Sequence, residues 1–175
     1  MANIDRPRGF RPVNPLRCTY KMFSVDSSNG NAIAPGDTIT MESDGNVTRS
    51  SAGDGVNICG IVVAAYDSNM VPQRYLAAST AGYVLAVLPT PGTLFVVQAD
   101  GDTSAADVGA TADHVDTAPN TTLGISQQEL DSSDAGTGNQ LRIVGKVDSV
   151  DNDWGTNVDL IVEFAESMYQ STTSI

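Results

Sequence analysis

Residues 82–100 read GYVLAVLPTPGTLFVVQAD, and how this stretch is interpreted decides the fold. Tyr83 to Leu88 and Leu94 to Val97 are unbroken apolar runs, too short and too closely punctuated for helices. Pro89 and Pro91 between them exclude a central strand or a helix interior, because proline fixes φ and lacks a backbone donor. Thr90-Pro91-Gly92-Thr93 puts proline and glycine where a type II turn takes them. The expectation is a hairpin buried on both faces, at the centre of a β-rich core.

Outward from this centre, strand signals recur. Val158 to Phe164 alternates, with Val158, Leu160, Val162 and Phe164 inward and Asp159 and Glu163 outward. Leu141 to Val147 puts Leu141, Ile143 and Val147 on one face and Arg142 and Lys146 on the other. Val56 to Ala65 reads as a buried strand, with Gly60 a bulge or a site of close approach. Thr38 to Met41 and Asn46 to Thr48 flank an Asp44-Gly45 turn and read as a hairpin. Thr19 to Val25 is a further strand, whose alternation slips between Met22 and Phe23 as at a bulge. Pro35-Gly36-Asp37 and Gly53-Asp54-Gly55 are turns, and Arg74 to Ala81 reads as a short strand or irregular edge. Residues 100–138 are long and polar, and Ser126 and Glu129 have capping-box spacing for one helical turn. The class is all-β: a small barrel or sandwich of about eight short strands with long polar loops.

The 175 residues suffice for one core without disulfide staples. Cys18 and Cys59 each fall in an expected strand, as small buried thiols in a reducing cytoplasm. No apolar run approaches the ~18 residues of a membrane span, and no signal-peptide apolar region opens the chain. The net charge is −12 but unevenly placed. Arg6, Arg8, Arg11, Arg17 and Lys21 face Asp5 alone in residues 1–21, a balance of +4, while four bases and twenty acids in the remainder give −16. Pro7, Pro12 and Pro15 keep the opening stretch extended, so residues 1–17 read as a basic arm that orders only against something else. The single domain is expected over 18–166 and a tail over 167–175. An acidic body repels nucleic acid.

Motifs for chemistry are weak. His114 lies between Asp113 and Asp116 and reads as a solvated loop histidine, without a nucleophile elbow anywhere. Gly136-Thr137-Gly138 lacks the third glycine and the following helix of a dinucleotide fingerprint. Asp100-Gly101-Asp102 and the acidic stretch 148–153 supply oxygen ligands, but neither has a calcium loop's spacing, and Asx-turns account for both. No cofactor, no metal and no catalysis are expected.

Several segments in one order resemble a known family. They are MANIDRPRGFRPV at the start, AIAPGDTI at 32–39, CGIVVAAYD at 59–67 and YLAASTAGYVLAVLPTPGTLFVVQADGDTSAADVGATADHV at 75–115. GISQQELDSS at 124–133, QLRIVGKVDSVDNDWGTN at 140–157 and VDLIVEF complete the string. Together they resemble the head decoration, or cement, structural proteins of tailed bacteriophages. The resemblance implies a β-rich protein made in the host cytoplasm, bound to the outside of an icosahedral shell and without catalysis. The partners it implies are the major capsid protein and further copies of the chain, with no nucleic acid and no membrane.

Within that reading Arg6, Arg8, Phe10, Arg11 and Arg17 are the expected contacts to capsid or neighbouring subunits. The arginines would form forks with carboxylates and Phe10 would fill a partner's pocket. Symmetric closure favours a homotrimer, then a dimer. Deleting residues 1–17 should then leave a folded body that no longer attaches. The rival is a virion-borne carbohydrate- or host-receptor-binding module using Trp154, His114 and Tyr66.

Overall fold

The computed structural model describes residues 3–53, 55–138 and 140–169. The protein is all-β, and two antiparallel sheets account for most of it. One is five-stranded, in the order β1 (Arg11–Pro12), β8 (Leu94–Gln98), β15 (Asp159–Phe164), β13 (Leu141–Lys146), β10 (Thr111–Ala112). The other runs β2 (Tyr20–Val25), β7 (Gly82–Val87), β5 (Ile58–Asp67), β3 (Thr38–Met41), β4 (Val47–Arg49), with β6 (Pro72–Gln73) on the far end of β5. Two small ribbons pair β11 (His114–Val115) with β12 (Glu129–Leu130), and β9 (Asp102–Thr103) with β14 (Gly155–Thr156). Among the described residues eight strands have three or more residues, and these match the segments that carry the clearest sequence patterns.

The stretch 82–100 is two strands but not a hairpin. β7 pairs with β2 and β5, whereas β8 pairs with β1 and β15 in the other sheet. The turn itself forms, with Gly92 at φ 81° and Thr93 N–H on the Thr90 carbonyl at 2.9 Å. Pro89 supplies the reason the strands part: with no N–H to continue a ladder, the chain leaves one layer and enters the next. The connection is therefore the corner of a sandwich.

Two cores flank the larger sheet. Facing pairs put Phe23 with Val84 and Lys21 with Ala86 on one face, Met22 with Leu85 and Tyr20 with Val87 on the other. Val87 and Ile61 reach the core shared with the five-stranded sheet, where Phe95, Leu160, Val162 and Phe164 are buried. Val84, Ala86 and Val62 face a second core with Ile33, Ile39 and Leu76. A strand wetted on neither face needs no polar alternation, which is why Tyr83 to Val87 and Ile58 to Ala65 read as continuous apolar runs. Ser24 Oγ donates to Asn46 Oδ1 at 2.7 Å, tying β2 to the turn that leads into β4, so the larger sheet curls about the second core. Gly60 is a site of close approach: a Cβ there would stand 2.8 Å from that of Ala86.

Four local expectations change. β2 pairs residue for residue with β7, so Met22 and Phe23 point to opposite faces without a bulge. Register shifts fall instead in β5, beside Gly60 and between Val62 and Ala64, and in β13 between Ile143 and Gly145, where the parity flips and Lys146 stands opposite the inward Leu160. Ser126 opens no helical turn: its Oγ accepts from Gln128 N–H at 3.1 Å and Glu129 lies in β12. The capping box forms at Ser104 and Asp107 around a single 3-10 turn. Cys59 is buried in β5, but half-buried Cys18 follows the 3-10 turn Pro15–Arg17, and both thiols are free. Of the expected tail, residues 170–175 lie outside the described residues, as does Asp54 of its turn.

Candidate interaction surface

The opening segment is pinned to the body. Asn3 Nδ2 donates to the carbonyls of Asp153 (2.8 Å) and Thr156 (2.9 Å), and its Oδ1 accepts from Asp153 N–H at 3.0 Å. Arg6 N–H donates to Gln98 Oε1 at 2.7 Å, while Gln98 Nε2 donates to the carbonyls of Ile4 and Asn157, both at 3.0 Å. Gly9 takes φ 63° where a Cβ would lie 2.3 Å from the Gly36 carbonyl oxygen, so only glycine lets the chain pass. Phe10 N–H then bonds that carbonyl at 2.9 Å, β1 pairs with β8, and Val13 N–H reaches the Leu94 carbonyl at 2.9 Å.

Phe10 accordingly does not face a partner. It is 1% exposed, inside the first core, with its ring 5.1 Å from Phe164 and 6.2 Å from His114. The expectation that residues 1–17 order only against another molecule gives way for residues 3–13, because the pocket that takes Phe10 is the chain's own. The same fact removes the expectation that a body lacking residues 1–17 stays intact.

The arginines separate into two places. Arg6, Arg8 and Arg11 line one cleft of about 390 Å³ together with Asp151 and Asp159, over a floor that includes Gln98, Asn152 and Asn157. Arg17 lies apart, beside a depression of about 240 Å³ with Val13, Cys18 and Leu94, and next to Leu16, which is 96% exposed. Arg11 and Asp159 approach to 3.9 Å as a half-exposed pair, worth ~0–1 kcal/mol. Among the described residues no carboxylate lies within ion-pair distance of Arg6 or Arg8. Two of the floor amides are engaged: Gln98 as above, and Asn152, which holds the Val147 and Asp159 carbonyls and the Asp159 N–H. The result is a fixed backbone frame whose Arg6 and Arg8 have no ion-pair partner among the described residues, while Arg11 is loosely paired with Asp159.

His114 is the larger surprise. It is 1% exposed, with Nδ1 2.7 Å from Gln140 Oε1. A carbonyl oxygen only accepts, so Nδ1 carries the proton and Nε2 faces the hydroxyls of Thr38 (3.3 Å) and Ser50 (3.5 Å). Burial pushes the imidazole's pKa down and keeps it neutral. Thr38 and Ser50 hydroxyls are themselves in close contact, and Gln128 Oε1 accepts from Thr38 N–H at 2.8 Å. Arg49 and Asp116 close the group with an ion pair at 2.8 Å. Ser50, His114 and Gln140 stand in the order nucleophile, base, orienter, but Ser50 is 0% exposed and His114 nearly so. This is a polar knot that joins the two layers.

Nearby Asp37 is 0% exposed, its Oδ2 accepting from Ala34 N–H at 2.8 Å while Oδ1 has no partner among the described residues. Burial pushes this carboxyl up to about 6, against the opposing pull of Ser126, the Ala34 N–H and Arg49. Glu129 is pushed up to about 7, by burial first and then by the carboxylates of Asp5 and Asp100.

The structure does not bring Trp154, His114 and Tyr66 together. His114 is buried, Trp154 packs against the first core, and Tyr66 lies in β5 beside Tyr83 and Pro72. Asp100 caps the turn at Ser132, accepting from its N–H at 2.9 Å and its hydroxyl at 2.8 Å. Among the described residues no group of three or more His, Cys, Asp or Glu is placed to hold a metal ion, and no helix is long and apolar enough to cross a membrane. Charge asymmetry marked the arginines in the sequence, but nothing local marked Gln98, Asn152 or Asn157 as their frame. No family model, no curated protein and no solved structure matches the chain.

Proposed function

We propose that this protein is a non-catalytic structural subunit that decorates the outer surface of a tailed-phage head, binding the major capsid protein at capsomer junctions. The observation that carries the reading is the arginine cleft: a pinned N-terminal segment that presents Arg6 and Arg8 with no carboxylate at ion-pair distance among the described residues. The ordered resemblance to head decoration proteins supplies the setting. In this account the arm is a rigid fitting, and the attachment free energy comes from guanidinium–carboxylate forks repeated over many copies. Self-association as a trimer, or else a dimer, would multiply the contacts further. The acidic body keeps the subunit off nucleic acid.

The test is occupancy on expanded, undecorated shells. Wild-type protein should saturate them at low salt and release progressively as salt rises, because exposed pairs are screened. The R6Q/R8Q/R11Q variant should bind at least roughly tenfold more weakly, about 1.4 kcal/mol in attachment. Equal occupancy by wild type and variant, or salt-independent binding, would refute the role of the cleft. Images of purified virions with this chain absent from the head exterior would refute the reading as a whole.

A further inference from the structure

Both walls of the cleft are charged, with opposite signs. Arg6, Arg8 and Arg11 come from the N-terminal segment, and Asp151 and Asp159 from the loop before β14 and the start of β15. Among the described residues two of the cations have no carboxylate at ion-pair distance, and the third meets Asp159 only at 3.9 Å. Between the walls, the side-chain amides of Gln98 and Asn152 are engaged in holding the frame. A uniform polyanion, whether nucleic acid or polyglutamate, would satisfy the arginine wall. It would also press like charge against Asp151 and Asp159 on a body whose balance is −16.

We infer that the cleft selects a protein segment of mixed charge, in which carboxylates alternate with lysine or arginine, over any uniform polyanion. The carboxylates of such a segment take the forks of Arg6 and Arg8. Its bases meet Asp151 and Asp159, relieving the stretched Arg11 pair. The cavity, about 390 Å³, is the size that takes a few side chains rather than an extended groove. Asp151 and Asp159 thus act as the repulsive element that specificity requires, beside the attractive one from the arginines. The inference rests on the reading of the arm as an attachment surface and specifies the chemistry of what attaches.

Fluorescence anisotropy on the full-length chain tests it, with three labelled probes of equal length: an alternating Glu-Lys peptide, polyglutamate and oligothymidylate. Wild type should bind the alternating peptide most tightly, and R6Q/R8Q should lose roughly tenfold or more of that affinity. R6K/R8K, which keeps charge but not the fork, should fall between. D151N/D159N should bind polyglutamate and oligothymidylate roughly three- to tenfold more tightly than wild type does and lose the preference for alternation. A wild type that binds none of the probes or prefers either polyanion, or a D151N/D159N variant with unchanged ranking, overturns the inference. The peptide assay uses no shells, so the two readings fail separately. Shells decorated without the peptide preference leave attachment standing, and the preference without decoration leaves only the selectivity.

Discussion

Two polar constellations within the same chain contrast in how their groups are used. Around His114 the hydroxyls, carboxamides and imidazole are sealed from water and paired with one another. Around Arg6 and Arg8 the amides that hold the segment's backbone are paired, but among the described residues the two guanidinium groups have no carboxylate within ion-pair distance. The first arrangement joins layers of the fold. In the second the amides dock the backbone of the segment, while the exposed guanidinium groups it carries stay available to a partner. Phe10 lies between them, its ring near His114 and its chain continuous with the arginines, so the two regions are mechanically linked.

The contrast can be broken most forcefully at Phe10. Phe10→Ala should cost ~3–5 kcal/mol, the range for emptying a buried aromatic site, read as a lower denaturant midpoint at unchanged slope. A loss under ~1 kcal/mol would return the arm to the status of a loose tether. Asp37 gives the next effect, through pH. Its folded pKa of about 6 lies above the ordinary 3.8, so its stabilising contribution is full below pH 3.8 and is lost as pH rises through about 6. His114 runs the other way, present above 6.5 and lost as pH falls through its lowered value. Asp37→Asn should therefore be more stable than wild type at pH 7.5, on the order of 2 kcal/mol, with the gap closing towards pH 4. Parallel stability–pH curves would show that Asp37 is not the group responsible.

Gln140→Leu sharpens the same contrast at smaller amplitude. It strands the His114 Nδ1–H in a dry interior at a cost of ~1–3 kcal/mol, measurable by urea unfolding. Smallest of all, R6Q/R8Q should leave folding stability within about 0.5 kcal/mol of wild type while attachment is lost. A large destabilisation there would place those arginines with the His114 group.

Much of this was legible from residues alone, where the information is local. The alternation in β15 and the Asp44-Gly45 turn between β3 and β4 each depend on neighbours within a few positions. The crossover at Pro89 was not legible, because a type II turn forms equally well whether its flanking strands pair or part. Phe10 was ambiguous in kind: an aromatic in a basic arm suits a partner's pocket or a home pocket. The home pocket is assembled from Phe164 and His114, distant in sequence. His114 misled for a similar reason. Its flanking aspartates suggest water, whereas its actual partners, Gln140, Thr38 and Ser50, come from three other parts of the chain.

The docking of the first residues against the last strands also sets an order of assembly. Asn3 holds Asp153, 150 positions away, and Phe10 rests on Phe164, so the segment around Phe10 can be seated only after residues 153–164 have been made. Such distant closure favours slow maturation.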